Sequence, residues 1–241
     1  MGMHVCQGRR MLSAAIALAA AGIGVAACGT TGSSAPSSPL SGLSADQIAT
    51  KAIANLKTAA TVRVTGVVSG SGQTYDLDLT LVQAQGCAGT MALKGTGSVK
   101  LIAIGKEVWM KPDRQFWDKL GGSNAAVVLK VLSGRYMKVK ATSQLGSLSG
   151  FCSPSQLAGS FGHTPAGLTK GKTATISGQE TLQIKDPGDS ASLYVSETAK
   201  PQIVEIAGGS QGTLTFSDYN SPVKLTAPPR RETLNGAKYG F

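Results

Sequence analysis

An alternation of apolar and polar residues runs in short stretches from Val62 to Met110, parted by glycine-bearing turns. Val62, Val64 and Val68 begin it, a turn runs through Gly70 to Gly72, and Tyr75, Leu77, Leu79 and Leu81 resume it with Asp76, Asp78 and Thr80 between them. A period of two with acids on one side predicts a hairpin that is wet on one face and apolar on the other. "GTMALKGTGSVKLIAIGKEVWMK" continues as three short strands, parted by Gly95 to Gly97 and by Gly105-Lys106. An antiparallel meander is the simplest topology for strands so closely spaced.

Helical patterns frame these strands. "LSADQIATKAIANLKTA" sets Ser44 and Gln47 at capping-box spacing and repeats Ile48, Ala52, Ile53 and Leu56 at three and four, an amphipathic helix that needs a surface to cover. Pro112 interrupts the strands, Ser123 is the expected N-cap of a second helix ending near Leu132, and a short helix is expected over 153–160. "KTATISGQETLQIKD", "ASLYVSE", "PQIVEIAGG" and "GTLTFSDY" then return to strand pattern. The fold class expected is α+β: one curved antiparallel sheet, a half-barrel of roughly eight to ten strands, with two or three helices on its concave side.

The N-terminal region has a different character. Arg9 and Arg10 precede an apolar run, Met11 to Ala27, that is short of the roughly 20 residues needed to span a bilayer and reads as a secretory signal. Val25, Ala26, Ala27 and Cys28 resemble the lipobox of bacterial lipoproteins. That resemblance implies cleavage before Cys28, a diacylglyceryl group on its sulfur and an acylated (palmitate-type) amino terminus; an ordinary signal with a chance cysteine is the alternative. Two or three acyl chains anchor stably where one binds reversibly. Residues 29–43 are rich in Ser, Thr, Gly and Pro without periodicity, so they read as a flexible tether. The expected organisation is a signal at 1–27, an anchor and linker at 28–43, and one domain at 44–241 on the extracytoplasmic face of the cell membrane.

Charge and cysteine usage agree with export. The net charge of +10 falls to about +8 without Arg9 and Arg10, and an exported basic protein meets anionic lipid headgroups more readily than nucleic acid, although lysines also serve solubility. With Cys6 in the signal and Cys28 in the anchor, Cys87 and Cys152 are left as a pair, and an oxidising compartment predicts a disulfide between them. Two lone thiols and one mature histidine, His163, do not suffice for a metal site. His163 lies in "SFGHTPAG" with no G-x-S-x-G nearby, so catalytic serine chemistry has no evident base, and neither an enzyme nor a cofactor is expected. "TKGKTA" lacks phosphate-loop spacing, and no aromatic platform accompanies the positive charge, so nucleic acid is not an expected partner.

A curled sheet with helices across it encloses apolar space. Leu77, Leu79, Leu81, Val99, Leu101, Val108 and Met110 are the candidate lining residues, either plain core or the wall of a cavity. Trp109, Phe116 and Trp117 are candidates for its mouth, for a membrane contact or for a local core cluster.

The succession of lipobox, polar tether, "LSADQIATKAIANLKTA" helix and a meander carrying "GSVKLIAIGKEVWMK" and "FW" resembles actinobacterial lipoproteins related to the LppX/LprG group and, more distantly, the LolA carrier. The resemblance implies a half-barrel that holds a lipid or other amphiphile in its hollow and carries it within the cell envelope, with no catalytic motif. The Cys87/Cys152 pair is not general in that group. The alternative function is an interaction or sensor domain that binds another envelope protein and has a filled hollow.

Overall fold

The computed structural model describes residues 38–70, 72–120, 125–132, 134–143, 149, 152–160 and 166–239. The signal, Cys28, Ser123 and His163 lie outside the described residues.

The alternation after Val62 becomes strands β1 (Thr61–Gly70), β2 (Gln73–Val82), β3 (Gly86–Leu93), β4 (Gly97–Ile104), β5 (Glu107–Pro112) and β6 (Tyr136–Lys140), each antiparallel to the next. A second meander follows: β7 (Thr169–Ile176), β8 (Gln179–Lys185), β9 (Ser192–Ser196), β10 (Ile203–Ala207) and β11 (Gly212–Ser217). The two join where β11 pairs antiparallel with β1, and β12 (Thr233–Asn235) closes the far side by pairing parallel with β6. One open, curved sheet of twelve strands results, in the order β12-β6-β5-β4-β3-β2-β1-β11-β10-β9-β8-β7. It exceeds the expected eight to ten strands: the two meanders supply eleven, and the C-terminal segment returns to pair at the β6 edge as the twelfth.

Register places the apolar positions on one face. Val62 opposes Leu81, Val64 opposes Leu79, Leu101 opposes Met110, and Met110 in turn opposes Met137. Period two sends their neighbours to the other face. There Arg63 forms a two-pronged pair with Asp78 at 2.9 Å, exposed to water and therefore worth little to stability. Gly89 sits at φ +157°, where a Cβ would stand 2.0 Å from the carbonyl oxygen of Asp78, so only glycine lets β2 and β3 approach so closely there.

The helices cover the apolar face. α1 (Ala45–Thr58) begins with the capping box of Ser44 and Gln47, as the spacing predicts, and buries Ala45, Ile48, Ala49, Ala52 and Leu56. α2 (Arg114–Leu120) sits over β4 and inserts Phe116 and Trp117 into the core; α3 (Ala125–Leu132) packs on α2; α4 (Pro154–Ser160) packs on α1. The core is one continuous cluster of these helix and strand side chains. Among the described residues, no helix is long and apolar enough to cross a membrane.

The packed body starts earlier than Ser44. Leu40, inside the segment read as tether, is 1% exposed; the Lys170 ammonium donates to the carbonyls of Leu40 and Ser41, and Ser38 donates to Glu197. Two leucines, Leu40 buried and Leu43 partly buried against the core, are enough to dock this polar stretch, which composition averaged over it conceals.

Candidate functional site

Cys87 and Cys152 are bonded, with their Cα atoms 4.8 Å apart, and this fixes the approach to α4 against β3. The residues expected to line a cavity lie close by and form packed core. Leu79, Leu81, Val99, Leu101, Val108, Met110, Phe116 and Trp117 are all buried in one cluster, with Leu77 partly buried against it. Phe116 and Trp117 meet edge to face on the core side of α2, with ring centroids 5.9 Å apart.

Trp109 lies elsewhere. Its neighbours Val108 and Met110 point into the core, so alternation turns the indole to the opposite face, where it is covered by the Lys138 ammonium at 5.7 Å from the ring centre. It lines no hollow.

Open apolar space appears in the other half of the sheet. Between α1 and strands β8 to β10 lies a cleft of about 200 Å³, walled by Ala49 and Ile53 from α1, Leu168 ahead of β7, Ile184, Leu193, Ile203 and Ile206, with Asp186, Asp189, Ala191 and Ser192 at its edge. Short side chains on the α1 face, Ala45, Ala49 and Ala52, hold the helix close at one end of the cleft while Ile53, Leu168, Leu193 and Ile206 remain only partly covered.

Hydrogen bonds hold this frame. The Leu168 amide donates to the Asp46 carboxylate at 3.0 Å, tying the first turn of α1 to the entry of β7. The Gly188 amide donates to Asp186 and the Ala191 amide to Asp189, which fixes the β8–β9 turn at the edge. The Tyr219 hydroxyl donates to the carbonyl of Ile203 at 2.9 Å, and burial pushes that phenol's pKa far above its usual value, so it stays a donor. Apart from Ile53 on the apolar face of α1, the cleft residues carry in the sequence only the alternation of "TLQIKD", "SLYVS" and "QIVEIA", which marks strands but not open space.

The chemistry on offer is burial of an apolar group beside water-facing carboxylates. Among the described residues no group of three or more His, Cys, Asp or Glu side chains is placed to hold a metal ion.

No protein-family model matches the chain, and no curated protein matches it. Solved structures do. LprF from Mycobacterium bovis is similar at 16% identity over 76% of this chain and 96% of that one, with a TM-score of 0.49. LppX from Mycobacterium tuberculosis is similar at 17% identity over 76% and 98%, with a TM-score of 0.43. A LolA superfamily protein from Nitrosomonas europaea is similar at 11% identity over 78% and 96%, with a TM-score of 0.21.

Proposed function

We propose that this chain is an extracytoplasmic lipoprotein, anchored to the cell membrane through acylated Cys28, which binds the apolar part of a lipid or other amphiphile without acting on it chemically. The observation that carries the reading is the cleft under α1, where Ile53, Leu168, Leu193 and Ile206 stay partly open beside the buried Ile184 and Ile203. Apolar side chains around an open cleft gain free energy from any tail that displaces water, about 0.8 kcal/mol per methylene, so a tail burying about six methylenes gains about 5 kcal/mol. The volume suits one short chain or the end of a longer one. The disulfide fits an oxidising compartment, and the Met11 to Ala27 run followed by Cys28 supplies a route to it.

A second reading, a docking or sensor domain for another envelope protein, is favoured by the filled core under β2 to β5. Uptake of a fluorescent fatty acid by the purified chain separates the two. Saturable uptake supports the binding protein; none, together with crosslinks to a protein in intact cells, supports the docking domain. The mass of the N-terminal peptide tests the anchor, with an acyl adduct on Cys28 expected and an unmodified residue contradicting it.

A further inference from the structure

The outer face of the sheet, away from the helices, separates its charge. On β4, β5 and β6 the outward positions carry Lys100, Lys111, Lys138 and Lys140, with Ile102, Trp109 and Tyr136 between them and Glu107 as the carboxylate. Two strands away, on β2, the outward positions carry Asp76 and Asp78.

The register of the lysines is costly. Lys100 stands directly opposite Lys111, and like charges in direct cross-strand register destabilise a sheet. Solubility requires no such pairing, since the same lysines staggered by one strand would serve it equally. Two of the cations are held over aromatic rings, Lys111 at 5.4 Å from the centre of Tyr136 and Lys138 at 5.7 Å from that of Trp109, and Lys138 also pairs with Glu107. These contacts hold the ammonium groups in place at the surface. The positive field continues sideways into a shallow groove of about 460 Å³ along β6 and β12, lined by Lys138, Lys140, Arg230, Thr233, Leu234 and Asn235, with no carboxylate among them.

We infer that this β4–β6 face and its adjoining groove dock on the surface of an anionic lipid bilayer, with phosphate headgroups relieving the Lys100/Lys111 repulsion and seating beside Lys140 and Arg230. Charge complementarity selects the occupant: a dense sheet of phosphates matches a fixed lysine array, and each Lys or Arg brought to such a surface adds several-fold to the partition. Tyr136, partly exposed beside Lys111, fits the same setting, because an aromatic ring with a polar tip favours the headgroup layer. The inference concerns the face opposite the cleft and stands whether or not the cleft is filled.

The test is lysine acetylation of the full chain read by mass spectrometry, with vesicles of phosphatidylcholine alone and vesicles containing about 30% phosphatidylglycerol. Lys51 and Lys57 on α1 and Lys172 on β7 are internal references. Docking predicts that Lys100 and Lys140 lose reactivity several-fold on the anionic vesicles alone, that the references do not, and that the loss vanishes at about 0.5 M salt, where charges are screened within a few ångström. Lys111 and Lys138 should be protected on the anionic vesicles in the parent and lose that protection in Lys100→Gln/Lys140→Gln chains, whose circular dichroism verifies the fold. Equal reactivity on both vesicle types overturns the proposal, as does equal protection of the reference lysines. Protection by soluble poly-glutamate but not by vesicles also overturns it, and assigns the face to an acidic protein.

Discussion

Cys87, in the middle of the first meander, is joined to Cys152, which leads directly into α4, so the helix lying beside α1 is covalently tied to the sheet. The bond closes a loop with a sequence separation of 65 residues and holds together the helical layer that bounds the candidate cleft through α1.

Removing this bond should be costly. In the chain-entropy account a loop of that length contributes about 4 kcal/mol. The Cys87→Ala/Cys152→Ala protein is expected to melt about 10 °C lower than the parent, and reductant should lower the parent alone. Calorimetry of both proteins, with and without reductant, checks this.

Asp113 caps α2 and at the same time holds β4. One carboxylate oxygen accepts from the Phe116 amide at 2.8 Å, and the other accepts from the amide and hydroxyl of Ser98. Partial burial pushes its pKa up, but these donors outweigh burial and leave it below the ordinary carboxylate value. A group whose folded pKa is depressed contributes stability above its unfolded pKa and loses it as pH falls through the folded one. Asp113→Ala should therefore cost about 1 kcal/mol at neutral pH, and the difference from the parent should shrink on acidification below the usual carboxylate range. Denaturant melts across that range give the answer.

The same junction depends on Gly97, which has φ +126° and where a Cβ would lie 2.4 Å from the Phe116 nitrogen. Gly97→Ala is expected to cost about 2 kcal/mol or more, because both the backbone conformation and the α2 contact are lost. A loss under a few tenths in equilibrium unfolding would show that α2 does not seat there.

Ile53→Trp tests the cleft without opening the core, since Ile53 is only partly buried. The indole should fill the space under α1, leave the melting temperature within a few degrees of the parent and reduce fatty-acid uptake at least tenfold. Phe116→Trp makes the contrasting control, being placed in the filled core away from the cleft, and should lower stability by about 1–3 kcal/mol by overpacking while leaving uptake in the surviving folded protein intact.

Much of the first meander is legible in the sequence because Val62, Leu79, Leu81 and Leu101 obey a local rule that needs only neighbours. The facing of Trp109 is legible by the same rule, since "VWM" cannot send all three side chains inward. Pairing of β1 with β11 is not, because Val64 and Phe216 meet only when two meanders join across most of the chain. The position of open space is least legible. Leu79 and Ile206 belong to strands with the same alternation, and what distinguishes them is which helix side chains fill the layer above, a property of the assembled layers.

The most direct measurement is native mass spectrometry of the full chain after mild extraction from the cells that make it, beside the Ile53→Trp protein prepared in the same way. An amphiphile-sized mass increment on the parent, absent from Ile53→Trp and lost on delipidation, is the predicted result. Parent protein that is repeatedly empty and takes up no fatty acid would contradict the account.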